Sequence, residues 1–69
     1  MILNKTTFTF KDVYTGLELD CTVSYEPHNP DGCIVDEALH KGEDIMYMLS
    51  DGVIKAIEYY AASIIRRAA

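Results

Sequence analysis

A chain of 69 residues forms at most a thin core, since a domain of this size buries only ~60% of its unfolded surface. Apolar residues make up 49% of the sequence, which excludes a disordered chain and suggests more apolar surface than one core can bury. Six basic and eleven acidic residues give a formal charge of −5, which disfavours direct binding to nucleic acid or an anionic membrane. We expect a single domain over residues 1–69 that self-associates.

The cellular compartment is predicted from the start of the chain and from its cysteines. The first ten residues, MILNKTTFTF, lack the long apolar segment and cleavage site of a secretory leader. No apolar run approaches the ~18 residues that a membrane span requires. Cys21 and Cys33 are too few for a disulfide scaffold, although a bridge between neighbouring strands is an alternative. We therefore expect a cytoplasmic protein with reduced thiols.

The first third of the chain alternates apolar and polar residues with a period of two, which predicts β-strands. Phe8 and Phe10 share one face of a first strand. A second strand, LELDCTVSY, places five apolar residues on one face: Leu17, Leu19, Cys21, Val23 and Tyr25. Gly16 between the strands supplies the backbone freedom for a turn, so the sequence predicts a β-hairpin.

The segment HNPDGC, residues 28–33, contains metal-competent side chains and also has the composition of a turn. Pro30 fits the second position of a type I turn, Asn29 precedes it, and Gly32 can adopt a left-handed conformation. This turn predicts a short third strand over residues 33–35. The first 35 residues would then form a three-stranded antiparallel meander.

The second half of the chain has helical periodicity. Residues 36–42 predict a turn or short helix, and residues 43–67 predict the main helix. Its expected core-facing residues are Met46, Leu49, Val53, Ile57, Tyr60, Ala61 and Ile64. Ser50 can cap a new helix in SDG, residues 50–52, so the segment is either one helix or two. The predicted fold class is α+β in the order βββα, a three-stranded sheet packed on one long C-terminal helix.

The main helix has a wider non-polar arc than one sheet needs. A stripe of small residues lies beside the large apolar ones and allows another backbone to approach closely. We expect a homodimer through the helix, with an interface made by Gly52, Ala56, Tyr60 and Ser63. The alternative is that these residues pack against the chain's own sheet or loop.

Few residues in the chain suggest catalysis or metal binding. Cys21, His28, Cys33 and His40 are zinc-competent, but their spacing lacks the tight pairs of structural zinc sites. A metal- or thiol-dependent activity using Cys33, His28 and His40 is the weakest functional alternative. The four glycines are isolated and form no phosphate-binding loop. We predict no catalytic residue, no metal and no cofactor.

Acidic and tyrosine side chains are the strongest candidates for a contact with another protein. Glu18 and Asp20 point outward from the second strand, with Asp12 across the turn, and such a row could imitate a nucleic-acid backbone. The predicted partner-binding residues are Asp12, Tyr14, Glu18, Asp20, Tyr47 and Tyr59. The alternative is an ordinary solvated strand face.

The sequence therefore favours a small acidic, non-catalytic binding module. We expect a homodimeric regulator or inhibitor that occludes a larger partner, of the kind that phages and plasmids encode as accessory proteins. In its most specific form, this hypothesis holds that the partner is a basic, nucleic-acid-processing protein. A structural or assembly subunit of a larger oligomer is the main alternative.

Overall fold

The computed structural model describes residues 3–68, apart from the side chains of residues 30 and 31. Four antiparallel strands in the order β1-β2-β3-β4 form one sheet, and a C-terminal helix follows, so the α+β class is confirmed. The elements are β1 (Asn4–Lys11), β2 (Glu18–Glu26), β3 (Asn29–His40), β4 (Glu43–Asp44), a 3-10 turn (Met46–Met48) and α1 (Asp51–Ala68). The prediction of three strands was wrong by one.

The hairpin of β1 and β2 has the predicted alternation. Phe8 pairs with Cys21 and Phe10 pairs with Leu19, so the apolar residues of both strands share one face. On β2, the side chains of Leu19, Cys21 and Val23 are at most 1% exposed. We call this side of the sheet, which packs against α1, the inner face; the opposite side is the outer face.

The turn after β2 lies three residues earlier than predicted. Glu26 pairs with Asn29, so Pro27 and His28 form the connection, and residues 29–32 belong to β3. The predicted turn at Asn29–Gly32 was therefore wrong. Strand β4 pairs only with the far end of β3, which leaves the first part of β3 paired on one side. A proline is compatible with a strand paired on one side only.

The segment from 36 to 42 is also a strand and a turn rather than a short helix. Strand β3 continues to His40, and Lys41 and Gly42 have φ angles of 53° and 84°. Positive φ at both central residues is typical of a type I′ hairpin turn, which here leads into β4. A bulge opposite Thr22 and Val23 inserts an extra residue into β3, so the period of two is broken there.

The main helix is shorter than predicted, because residues 43–49 form β4 and the 3-10 turn. The sequence left open one helix or two over this segment; the structure has one α-helix, α1, which begins at Asp51 with Ser50 before it as a cap. The Ser50 hydroxyl accepts a hydrogen bond from the Val53 amide at 3.3 Å. Such a side chain satisfies one of the amides that the first turn of a helix leaves unpaired.

The core lies between the inner face and α1, which runs mainly over β3. Its buried apolar residues are Leu19, Cys21, Val23, Cys33, Val35, Ala38, Ile57, Ala61 and Ala62. At the β1 side, Tyr60 covers the two phenylalanines, with ring centroids 5.4 Å from Phe8 and 5.8 Å from Phe10. All three rings stay partly exposed, so the core is open toward β1.

Candidate functional site

The outer face of the sheet is not covered by α1 and carries a group of carboxylates. Glu18 and Asp20 are exposed neighbours on this face of β2, about 7 Å apart along the strand. Asp20 pairs with Leu39, so Glu37 lies diagonally from Asp20, also at about 7–8 Å. We call Glu18, Asp20, Asp36 and Glu37 the acidic sheet face.

Hydroxyl groups on adjacent strands hold these carboxylates in place. Thr9 Oγ1 donates to Asp20 Oδ1 at 3.2 Å, and Thr22 Oγ1 donates to Glu37 Oε1 at 3.3 Å. Carboxylates that are oriented before a partner arrives lose less entropy on binding. A shallow groove of about 350 Å3 runs between them, lined on this face by Thr7, Thr9, Asp20, Thr22, Glu37 and Leu39.

Two lysines of β1 lie beside the acidic sheet face, and one of them, Lys11, is the cross-strand partner of Glu18. Lys5 Nζ lies 3.9 Å from Asp36 Oδ2, and the Ser24 hydroxyl donates to the same carboxylate. Glu18 and Asp20 form no ion pair within the part of the chain that the structure describes. Their charge is therefore free to attract a cationic group from outside.

Asp12 does not belong to this face, and the prediction that it lies in an exposed acidic row was wrong. Its side chain is only 4% exposed, and its carboxylate accepts hydrogen bonds from Thr15 Oγ1 at 2.7 Å and from the Tyr14 amide at 3.3 Å. The Thr15 hydrogen bond lowers the pKa of the Asp12 carboxyl below its usual value. Asp12 therefore organises the loop between β1 and β2.

That loop carries two apolar side chains in solvent. Val13 is 85% exposed and Tyr14 is 91% exposed, although backbone bonds from Asp12 to Leu17 and from Gly16 to Asp12 fix the loop. Beside the loop, a groove of about 450 Å3 separates it from the start of α1. Its lining includes Phe10 and Ala56. A fixed loop that exposes large apolar side chains is a candidate contact element.

The tyrosines predicted for partner binding are exposed but do not share one surface. Tyr47 lies in the 3-10 turn, and Tyr59 lies on the solvent side of α1; both are 79% exposed. Tyr59 is thus separated from Glu18 and Asp20 by the helix and the sheet. One flat partner cannot touch all six predicted residues together.

The predicted oligomer residues lie along the side of α1 that faces β1. Gly52 and Ala56 are exposed and border the groove beside the loop. Tyr60, 40% exposed, continues this side toward Phe8 and Phe10, and Ser63 follows at helical spacing. The four residues form a continuous rim beside the first strand.

The cysteines and histidines do not come together. Cys33 is buried in the core, whereas exposed His28 lies in the β2–β3 turn, and His40 ends β3 seven residues beyond Cys33, about 23 Å along the strand. Within residues 3–68, no group of three or more His, Cys, Asp or Glu side chains is arranged to hold a metal ion. The proposed use of Cys33, His28 and His40 in one site is therefore wrong.

Both thiols are in environments that disfavour their charged form. Burial, with a smaller contribution from the Asp20 charge, raises the pKa of the Cys21 thiol to about 11. Burial, together with the nearby Glu58 charge, also raises the pKa of Cys33. Since the thiolate is the nucleophile, both cysteines are poorly reactive near neutral pH. On the paired strands β2 and β3, Cys21 lies opposite Ala38 rather than opposite Cys33.

Two parts of the surface were missed from the sequence. Asp36 and Glu37 were assigned to a helical turn, so their place on the outer face was hidden. The apolar run CIV, residues 33–35, predicted only a short strand, and the acidic residues after it gave no signal that the strand continues. Exposure of Val13 had no sequence signal, because only the hydrogen bonds of Asp12 turn it outward.

Comparisons of the chain with protein-family models, with curated proteins and with solved structures found no match. Among the described residues, no helix is both long and apolar enough to cross a lipid bilayer.

Proposed function

We propose that this protein is a non-catalytic binding module whose acidic sheet face occupies a basic groove on a larger protein. The observation that carries the proposal is the uncovered outer face of the sheet with its oriented carboxylates, Glu18, Asp20, Asp36 and Glu37. Binding would regulate or inhibit the partner by occluding that groove.

The spacing of the carboxylates supports a partner that binds nucleic acid. Glu18 and Asp20 repeat at about 7 Å along β2, and Glu37 continues the pattern diagonally. A nucleic-acid backbone also presents a regular row of negative charges, which basic grooves recognise by counterion release and direct pairing. The net charge of −5 adds long-range attraction to such a groove.

Apolar side chains on the outer face add a hydrophobic contact to the electrostatic attraction of the carboxylates. Ile34, 59% exposed, lies two residues before Asp36 on β3, and half-buried Leu39 lies beyond Glu37. Interfaces combine a desolvated apolar centre with a polar rim. This arrangement fits a protein partner better than free counterions.

The experiment is affinity capture from the native host cell with an immobilised chain, followed by elution with duplex DNA. We expect a basic nucleic-acid-binding protein that elutes with DNA and is lost with the Glu18→Lys/Asp20→Lys variant. A matched control, Glu43→Lys/Asp51→Lys, makes the same charge change at exposed residues away from the outer face. The control should retain the partner.

Equal capture by the wild type and by Glu18→Lys/Asp20→Lys would contradict the proposal. Equal loss in both variants would also contradict it, because net charge rather than the acidic sheet face would then govern binding.

A second candidate function, a structural or assembly subunit, is favoured by the exposed apolar loop residues Val13 and Tyr14 beside the groove along α1. Light scattering separates the two. A ring of six or more copies that resists high salt supports the assembly role, whereas a dimer does not.

A further inference from the structure

The first strand leaves one long edge of the sheet open. Strand β1 pairs with β2 over all eight of its residues, Asn4 to Lys11, and no other described strand lies on its far side. An unpaired edge presents a row of backbone amides and carbonyls that can pair with another strand. Proteins protect such edges with charges or proline, but the five residues from Thr6 to Phe10 have neither.

Charge favours the β1 edge as the place where two copies of an acidic protein can meet. Every other strand carries at least two acidic residues, whereas β1, NKTTFTFK, carries none and has two lysines. Two copies with a formal charge of −5 each repel one another in most of the orientations in which they can meet. Contact through β1 keeps their carboxylates apart.

The core is incomplete on the same side. Phe8, Phe10 and Tyr60 form an aromatic cluster that is only half-buried, because α1 runs mainly over β3. The chain exposes 4821 Å2, whereas a monomer of 7.8 kDa exposes about 4400 Å2. The chain is therefore not more compact than an average monomer of its size, and the partly exposed aromatic cluster lies beside the pairing edge.

We propose that β1 pairs antiparallel with β1 of a second copy, about a two-fold axis through Thr7, so that two sheets join into one of eight strands. The axis is perpendicular to the sheet, which keeps both α1 helices on the same side. In this register Thr7 faces Thr7 of the second copy and Phe8 faces Thr6. The inner faces of the copies are then continuous.

This register is preferred to the one centred on Phe8 because of the lysines. Centring on Phe8 would place Lys5 opposite Lys11 of the second copy, and like charges directly opposite one another are destabilising. Centring on Thr7 places Lys5 opposite Thr9, whose neighbour on β2 is Asp20. Lys5 then has no like charge opposite it and keeps its ion pair with Asp36 of its own chain.

The pairing also gives the rim on α1 a role. Tyr60 belongs to the aromatic cluster, and Gly52 and Ala56 line one groove with Phe10, so these residues lie beside β1 rather than meeting the second helix directly. Small residues there leave room for side chains of the second copy above β1. The dimer predicted from the sequence is therefore formed through a strand, with the helix rim beside it.

The test is the mass and dissociation constant of the purified chain alone by analytical ultracentrifugation. We expect a dimer for the wild type. The Thr7→Lys/Thr9→Lys variant opposes like charges at three cross-strand pairs, so we expect its dimer dissociation constant to rise on the order of a hundredfold. The control Thr22→Lys/Ile34→Lys adds the same charge to inner strands of the same face and should stay dimeric.

Amide hydrogen exchange of the wild type gives a second measurement that needs no variant. Pairing with β2 alone protects every second amide of β1, because the alternate amides point to the open edge. In the dimer we expect all amides from Lys5 to Thr9 to be protected, with protection of the alternate set lost on dilution.

A monomeric wild type overturns the proposal, as does a dimer of unchanged affinity in the Thr7→Lys/Thr9→Lys variant. The proposal is also overturned if the β1 amides at the open edge become protected only when another protein is added. That result would assign the edge to the other protein. The mass and the dimer dissociation constant are measured on the purified chain without the basic partner, so this proposal and the proposed function fail separately.

Discussion

The two faces of the sheet are formed by alternate residues of the same strands. On β2, Leu19 and Val23 are fully buried on the inner face, while Asp20 between them is exposed on the outer face. The inner face packs against one helix, and the outer face carries carboxylates and threonines. Folding this small chain therefore uses the inner face, and the outer face is uncovered and available for the contact proposed above.

The largest expected effect comes from truncating the centre of the inner face. Ile57 is fully buried between α1 and the sheet, so Ile57→Ala removes buried methyl groups and leaves a cavity. We expect a loss of about 3 kcal/mol in the free energy of unfolding, measured by urea denaturation. Ile34→Ala on the outer face, where the side chain is 59% exposed, should change it by less than about 0.5 kcal/mol. Similar losses in both variants would show that the faces do not differ.

Alkaline pH tests the inner face through Cys21. Burial raises the pKa of its thiol to about 11 from the ordinary 9.0, so the folded state favours the protonated form. The stabilisation is fully present below pH 9.0 and is lost as the pH rises through the folded pKa. Between about pH 8 and about pH 10.5, we expect Cys21→Ala to lose less free energy of unfolding than the wild type. Equal losses by urea denaturation would contradict the burial of this thiol.

The helix cap is expected to contribute less than the core. Ser50→Ala removes the acceptor for the Val53 amide at the start of α1. We expect a loss of about 1 kcal/mol in the free energy of unfolding, with Ser50→Asp retaining most of the stability. Circular dichroism during urea denaturation measures both variants. An Ser50→Ala variant as stable as the wild type would place the start of the helix elsewhere.

The smallest expected effect is on the outer face. Glu18→Ala/Asp20→Ala removes two exposed carboxylates that form no ion pair among the described residues. We expect a change in the free energy of unfolding within about 0.5 kcal/mol in either direction. A large loss in urea denaturation would show that these carboxylates hold the fold together, which would weaken their assignment to binding.

The sequence predicted the parts of the fold in which local pattern and tertiary environment agree. Alternation along β2 correctly marked Leu19, Cys21 and Val23 as buried, because their face lies in the core between the sheet and α1. Ser50 was recognised as a helix start because a hydroxyl before an acidic first turn satisfies unpaired amides. These signals depend on residues close together in the chain.

The full length of the third strand and the whole of the fourth were missed because their signals depend on the partner strand. The bulge opposite Thr22 and Val23 adds a residue between Val35 and Ala38, so two inward-facing residues lie three apart, as in a helix. The turn at Lys41 requires a positive φ in a residue that seldom adopts one. The acidic sheet face was consequently predicted only in its β2 half.

Asp12 shows that the hydrogen bonds of a loop can bury a charged residue that the sequence predicts to be exposed. From the sequence it extends the row of Glu18 and Asp20, yet the Thr15 hydroxyl and the Tyr14 amide hold it inside the loop. Its lowered pKa follows from those bonds, so its contribution to stability is present above the usual pKa and is lost as the pH falls through the lowered one. Only the loop geometry distinguishes it from the exposed acids.

The most direct measurement of the division between the two faces uses one preparation of Glu18→Lys/Asp20→Lys for two readouts. Its free energy of unfolding should equal that of the wild type within about 0.5 kcal/mol, and its capture of the DNA-eluted partner should be lost. Capture that persists in this folded variant would contradict the account. An unfolded variant would contradict it equally, because the outer face would then be needed for the fold.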